Sequence, residues 1–212
     1  NLPFAISGDG AYIVDQTGKT YLDASGGAAV SCLGHSHQKV IRAIKNQLDA
    51  MPFAHTAFFT NEPLENLAAH LAIRAPDPLE KVYVVSGGSE AMEAALKMGR
   101  QYFLERDEPS KRLYIARRQS YHGNTLGALA TGGNLWRRQP YDPLLMQAHH
   151  IAPCYAYREQ RADETAEAYA LRAANELEEK ILELGSEHVI GFVAEPVVGS
   201  TLGSVPPEPG HF

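Results

Sequence analysis

The stretch VVSGGSEAMEAALKMGRQY, residues 84–102, constrains the fold most. β-Branched residues run into Ser86-Gly87-Gly88-Ser89, and a helical pattern begins at once. Two adjacent glycines pack poorly but suit a turn where backbone comes close to something else. KVYVVS before the turn reads as a short buried strand, and residues 88–106 as a long helix. RLYIARR, residues 112–118, reads as the next strand. HGNTLGALATGG reads as a short helix ended by Gly132-Gly133. Residues 163–185 read as a helix with a solvated polar face, Ala166, Tyr169, Ala173, Leu177, Ile181 and Leu184 lying on the other side. HVIGFVAEPVVG gives a third buried strand. Strands alternating with helices predict an α/β fold, a doubly wound and mostly parallel sheet.

The N-terminal part reads differently. GAYIVDQTGKTYLDASGG predicts a hairpin, Tyr12–Val14 against Thr20–Leu22, turned by Asp15-Gln16-Thr17-Gly18. HQKVIRAIKNQLDAM is a helix with Val40, Ile41, Ile44 and Leu48 on one face. NEPLENLAAHLAIRA is another, capped by Asn61 with Pro63 in its first turn. Residues 132–160 carry three prolines and read as an ordered excursion at a subunit contact.

Bulk properties narrow the function. A net charge of −6 with no basic stripe argues against nucleic acid. No apolar run approaches the roughly 18 residues of a membrane helix, and the start lacks the pattern of a signal peptide. Cys32 and Cys154 have neither metal-ligand spacing nor a disulfide framework. A cytoplasmic setting is the expectation. His149-His150 and His35 with His37 lack a carboxylate or cysteine at ligand spacing, so no metal is expected.

Three motifs carry chemistry. In SGGSEAMEA the strand ends at Ser86, Gly87 and Gly88 form the turn, and Ser89 opens the helix. A helix N-terminus offers unpaired N–H groups and about half a positive charge, which makes an anion cradle. The turn is neither a Walker loop nor a dinucleotide fingerprint. A Gly-Ser cap without a ligand remains the alternative for this motif alone. SYHGNTLGA sets Tyr121 and His122 at the carboxyl end of the second strand, where open α/β sheets bind ligands and an aromatic can stack on a flat ring. A Tyr-His pair that only packs is its alternative. FVAEPVVG ends an apolar strand on Glu195, a carboxylate that needs a partner there. A local cap or ion pair would also satisfy it.

Together these motifs resemble the N-terminal half of a class III aminotransferase of pyridoxal-phosphate fold type I. The likeness runs through GDGAYIVDQTGKTYLDASGGAAVSCLGHSHQKV, VYVVSGGSEAMEAALKMGRQY, YHGNTLGAL and AEPVVGSTLGSVPPEPG. It implies that Gly88 and Ser89 hold the phosphate of pyridoxal 5'-phosphate. Tyr121 would stack on the pyridine ring with His122 and Gly123 beside it, and Glu195 would lie close to the ring, positioning it or a neighbouring Arg. Residues 1–55 would form an N-terminal segment of small domain and substrate entrance. Residues 56–212 would be the first part of the cofactor-binding large domain, incomplete in this chain. FAHTAFFTNEP would lie near the contact of a homodimer. The family's Schiff-base Lys and the Asp that pairs with the pyridine nitrogen both follow the Glu-Pro strand. Neither motif occurs here, so no catalytic residue is expected in this chain and a complementary C-terminal segment is the expected partner. The implied reaction is amino transfer from an amino acid or amine to a keto acid, pyruvate or 2-oxoglutarate. A fragment serving only binding or assembly, or an aminomutase or decarboxylase of the same class, would read alike.

Overall fold

The computed structural model describes residues 2–212. The chain packs as two compact units that meet in sequence between Val82 and Tyr83.

The first unit opens on an antiparallel sheet, β1 (Ala5–Asp9), β2 (Tyr12–Asp15) and β3 (Thr20–Leu22), in that order. Asp15 is buried and turns the β2–β3 hairpin around its own carboxylate. Oδ1 accepts from Thr17 N at 2.8 Å, Thr17 Oγ1 at 2.6 Å and Lys19 N at 3.1 Å, and Oδ2 accepts from Tyr21 Oη at 2.8 Å. A second carboxylate, Asp23, holds the next turn. Ser31 Oγ donates to its Oδ2 at 2.9 Å, and His35 Nε2 lies 2.9 Å from the same oxygen. Between Asp23 and Ser31, α1 (Gly26–Ala29) is a single left-handed turn, with Gly27 at φ +59° and Ala28 at φ +60°. Two amphipathic helices follow, α2 (Gln38–Ala50) and α3 (Glu62–Ala72). Asn61 caps α3 by accepting from Leu64 N at 3.0 Å, and Pro63 lies in its first turn. Neither helix buries a residue.

The second unit is built on a parallel sheet of β4 (Leu113–Arg117), β5 (Ala148–Ile151) and β6 (Val189–Val193), ordered β5-β4-β6. The long helix α4 (Gly88–Glu105) precedes it. Two short helices, α5 (Leu126–Thr131) and α6 (Leu135–Arg138), and a 3-10 turn at Gln139–Leu144 carry the chain from β4 to β5. The short α7 (Ala156–Glu159), the long α8 (Ala166–Leu184) and a 3-10 turn at Ser186–His188 lead to β6. Thr165 caps α8 by accepting from Ala168 N at 3.1 Å. Ile115, Ile151 and Val189 form the core, with Leu177, Ile181 and Leu184 of α8 packed on it. A second cluster gathers Cys154, Tyr169 and Ala173. No helix among the described residues is long and apolar enough to cross a membrane.

Two expectations are corrected. The run at 81–86 belongs to no strand, and its Tyr83 stays 71% exposed. A strand exists through a neighbour's N–H and C=O groups, and neither edge of the sheet pairs with this run. The missing strand lies instead inside the proline-bearing excursion, as β5. Its sequence, Ala-His-His-Ile, breaks the apolar pattern. The structure seats one of these polar rings: His150 Nε2 lies 3.1 Å from the carbonyl oxygens of both Thr131 and Gly132.

Candidate cofactor site

The site is built where β4, β6 and the start of α4 deliver their turns. Gly87 precedes α4 in extended conformation, φ −167°. The first helical bond runs from Ala91 N to Gly87 O at 3.0 Å, so the N–H groups of Gly88, Ser89 and Glu90 have no partner within the helix. A side-chain carbon added at Gly88 would meet nothing within 4 Å, so open space lies against that backbone.

Ser89 ties this turn to the next. Its Oγ accepts the backbone N–H of Asn124 at 2.9 Å, which leaves the hydroxyl proton to donate elsewhere. The two turns close because residue 123 is glycine. Gly123 is buried at φ +133°, and a Cβ there would stand 2.7 Å from Ser89 Oγ and 3.0 Å from Ala128 Cβ. One helical turn beyond Ser89, Glu93 Oε1 accepts from Gly127 N at 2.8 Å and Ala128 N at 3.3 Å, fixing the start of α5 against α4.

Glu195 joins the β4 and β6 turns. Its Oε2 accepts from Tyr121 N at 3.0 Å and its Oε1 from Gly199 N at 3.3 Å. Main-chain donors thus answer the cost of a carboxylate at the strand end. Thr201 Oγ1 adds a bond to Gln119 O at 2.5 Å. The Tyr121 ring remains partly exposed, and the guanidinium carbon of Arg137 stands 4.9 Å from its centroid. A cleft of about 420 Å³ opens beside it, lined by Gly123, Asn124, Trp136, Arg137 and Tyr141 among others.

His122 belongs to this turn. Its Nε2 is buried with no hydrogen-bond partner. Burial pushes its pKa down, and the nearby Glu195 carboxylate opposes this in part. His150 is also pushed down, by burial first and then by the Arg138 guanidinium. Both rings are therefore neutral near pH 7.

Of the six residues expected at the site, Ser89 and Gly123 meet at one hydroxyl with Gly88 beside Ser89 in the chain, while Tyr121 and Glu195 meet around one carboxylate. His122 is set between Tyr121 and Gly123 in the chain. Sequence reasoning missed Asn124, Glu93 and Arg137. Glu93 had a signal, four residues after Ser89 on the same helix face. Asn124 contributes a main-chain N–H, which residue type does not encode. Arg137 lay within the excursion, where no period pointed to it.

The donors present fit a phosphorylated flat ring: free helix-start N–H groups, an available hydroxyl, an exposed aromatic face and an unpartnered buried ring nitrogen. Solved structures that share this fold include transaminases. An omega transaminase from Pseudomonas jessenii in complex with PMP superposes with a TM-score of 0.93 at 32% identity, over 99% of this chain and 46% of that one. A PMP-bound aminotransferase from Vibrio fluvialis matches with a TM-score of 0.93 at 31% identity, over 100% of this chain and 46% of that one. The fold is the pyridoxal-phosphate fold type I. The profile of the family Aminotransferase class-III matches residues 2–212, and the chain belongs to that pyridoxal-phosphate-dependent family. An uncharacterized aminotransferase of Schizosaccharomyces pombe is 42% identical over 99% of this chain and 46% of its own length. The putrescine–pyruvate aminotransferase of Pseudomonas aeruginosa is 34% identical over 94% of this chain and 44% of its own length. The chain spans about half the length of the curated relatives it matches.

Proposed function

We propose that this chain supplies the phosphate-holding and ring-contacting half of an aminotransferase site. The reaction moves an amino group from an amino acid or amine to a keto acid, pyruvate or 2-oxoglutarate. Pyridoxal phosphate, when bound, supplies the electron sink at the amino carbon and carries the amino group between the two substrates. The chain's own residues bind and orient. Gly88 and Ser89 offer helix-start N–H groups and a hydroxyl proton to the phosphate. Tyr121 presents its ring face, anchored through its main chain to Glu195. His122 holds a neutral ring nitrogen at the site. Gly123 keeps the two turns in contact. No residue of this chain takes the catalytic base role.

The observation that carries this reading is the Ser89 Oγ to Asn124 N bond, which closes the glycine turn of α4 onto the Tyr121-His122-Gly123 turn. Residues 1–55 take the small-domain and substrate-entrance role, and residues 56–212 the first part of the large domain. A homodimer and a complementary C-terminal segment are the proposed partners. Exposed Phe53, Phe58 and Phe59 support the first, and the unpaired run at 81–86 supports the second. A cytoplasmic location accompanies this reading.

The test is equilibrium titration of the purified protein with pyridoxal phosphate, followed by absorbance. The parent chain should saturate. Ser89→Ala should weaken uptake by about 1–3 kcal/mol, the worth of a hydrogen bond to a charged group. Equal affinity in the two proteins would remove Ser89 from the site.

A further inference from the structure

The sequence Trp136-Arg137-Arg138 places two guanidinium groups on the short helix α6, and the fold treats them differently. Arg138 turns inward, its Nη1 lying 3.2 Å from His150 Nδ1. Arg137 turns to the cleft beside Tyr121 and stands over that ring. Among the described residues its guanidinium makes no ion pair and no hydrogen bond, while its backbone N–H donates to Asn134 O at 3.1 Å and to Asn134 Oδ1 at 3.3 Å. No Asp or Glu lines the cleft.

A guanidinium carries five N–H donors in a rigid planar fork. Stacking on an aromatic face steadies the plane and leaves the edge donors free. The cleft therefore holds a fixed positive fork without a counter-charge. Its other walls include Leu129, Trp136, Pro140 and Tyr141, which suit a short carbon chain. The planar fork matches the two coplanar oxygens of a carboxylate. Phosphate donors are already grouped at the start of α4.

We propose that Arg137 is a specificity-determining residue that reads the substrate's carboxylate, so that the donors taken up are amino acids rather than amines lacking a carboxylate. This rests on reading the site as that of a transaminase.

Trp136 is the only tryptophan of the chain and lines the same cleft, so its emission reports what enters. The protein is titrated with glutarate, butylamine and inorganic phosphate, each against sodium chloride at matched ionic strength. Arg137→Gln and Arg137→Lys are titrated alongside, with far-UV circular dichroism to confirm folding. Glutarate should give a saturable change in the parent chain. Arg137→Gln should weaken it about tenfold or more, and Arg137→Lys should regain part of the loss. Butylamine should be silent. The proposal is overturned if glutarate gives no saturable change, if Arg137→Gln titrates like the parent, or if phosphate or butylamine gives the same Arg137-dependent change. Pyridoxal phosphate uptake, read by absorbance in the same samples, separates the two readings. Uptake with an Arg137-independent glutarate response sinks this inference alone. A glutarate response without uptake sinks the transaminase reading and leaves Arg137 as a carboxylate site.

Discussion

The two units of the chain are held together in opposite ways. Up to Val82, Asp15 is the only buried side chain among the described residues, and it is a carboxylate. From Tyr83 onward, Ile115, Ala116, Ala128, Ala130 and Ala170 are fully buried. The first unit is organised by polar clamps at Asp15 and Asp23, and its apolar helix faces stay open, with Ile44 55% exposed. The second unit has a hydrophobic interior and carries every residue of the candidate site. A unit with its own core fixes geometry. A unit built on clamps keeps its apolar stripes for whatever covers them.

The sharpest way to break this comparison is a matched pair of truncations. Ile115→Ala should destabilise the second unit by about 2–5 kcal/mol, and Ile44→Ala should change stability by no more than about 0.5 kcal/mol. Urea unfolding followed by Trp136 emission measures the first, and far-UV circular dichroism the second. Equal losses would mean that the first unit has an interior after all.

The next effect is local. Gly123→Ala places a carbon against Ser89 Oγ at a backbone conformation that favours glycine. It should weaken pyridoxal phosphate binding by about 1–3 kcal/mol while global unfolding moves less. A loss confined to unfolding would make Gly123 a packing residue only.

The smallest effect is in acid. The Thr17 hydroxyl, then the Tyr21 hydroxyl, hold the Asp15 carboxylate down to about 2. A depressed carboxylate stabilises the folded hairpin above its ordinary value of 3.8. That contribution fades as pH falls from there and is gone once pH passes below about 2. Amide exchange at Thr17 and Lys19 should therefore stay slow at pH 5 and quicken between pH 4 and pH 2. In Asp15→Asn that acid step should be absent, because the side chain no longer titrates.

The candidate site was easier to pick out in the sequence than the sheet. Gly88, Ser89, Tyr121, Gly123 and Glu195 stood out because glycine doublets, a turn aromatic and a strand-end carboxylate each break an apolar pattern. The same logic failed where breaking the pattern meant something else. His149 and His150 hid β5, although the His150 ring, bonded to carbonyl oxygens, is as acceptable inside as an apolar residue. The run 81–86 looked like a strand because it is apolar, yet pairing depends on a neighbour that local sequence does not name. Arg137 escaped notice because its placement depends on the ring it covers, sixteen positions earlier in the chain.

The Glu195 anchor has a consequence for how such a site can diversify. Its carboxylate grips peptide N–H groups at positions 121 and 199, and every amino acid except proline brings that group. The aromatic at 121 can therefore be exchanged for another ring, or lost, without loosening the bond that holds its backbone. Scaffold and exposed ring can drift independently at the same residue.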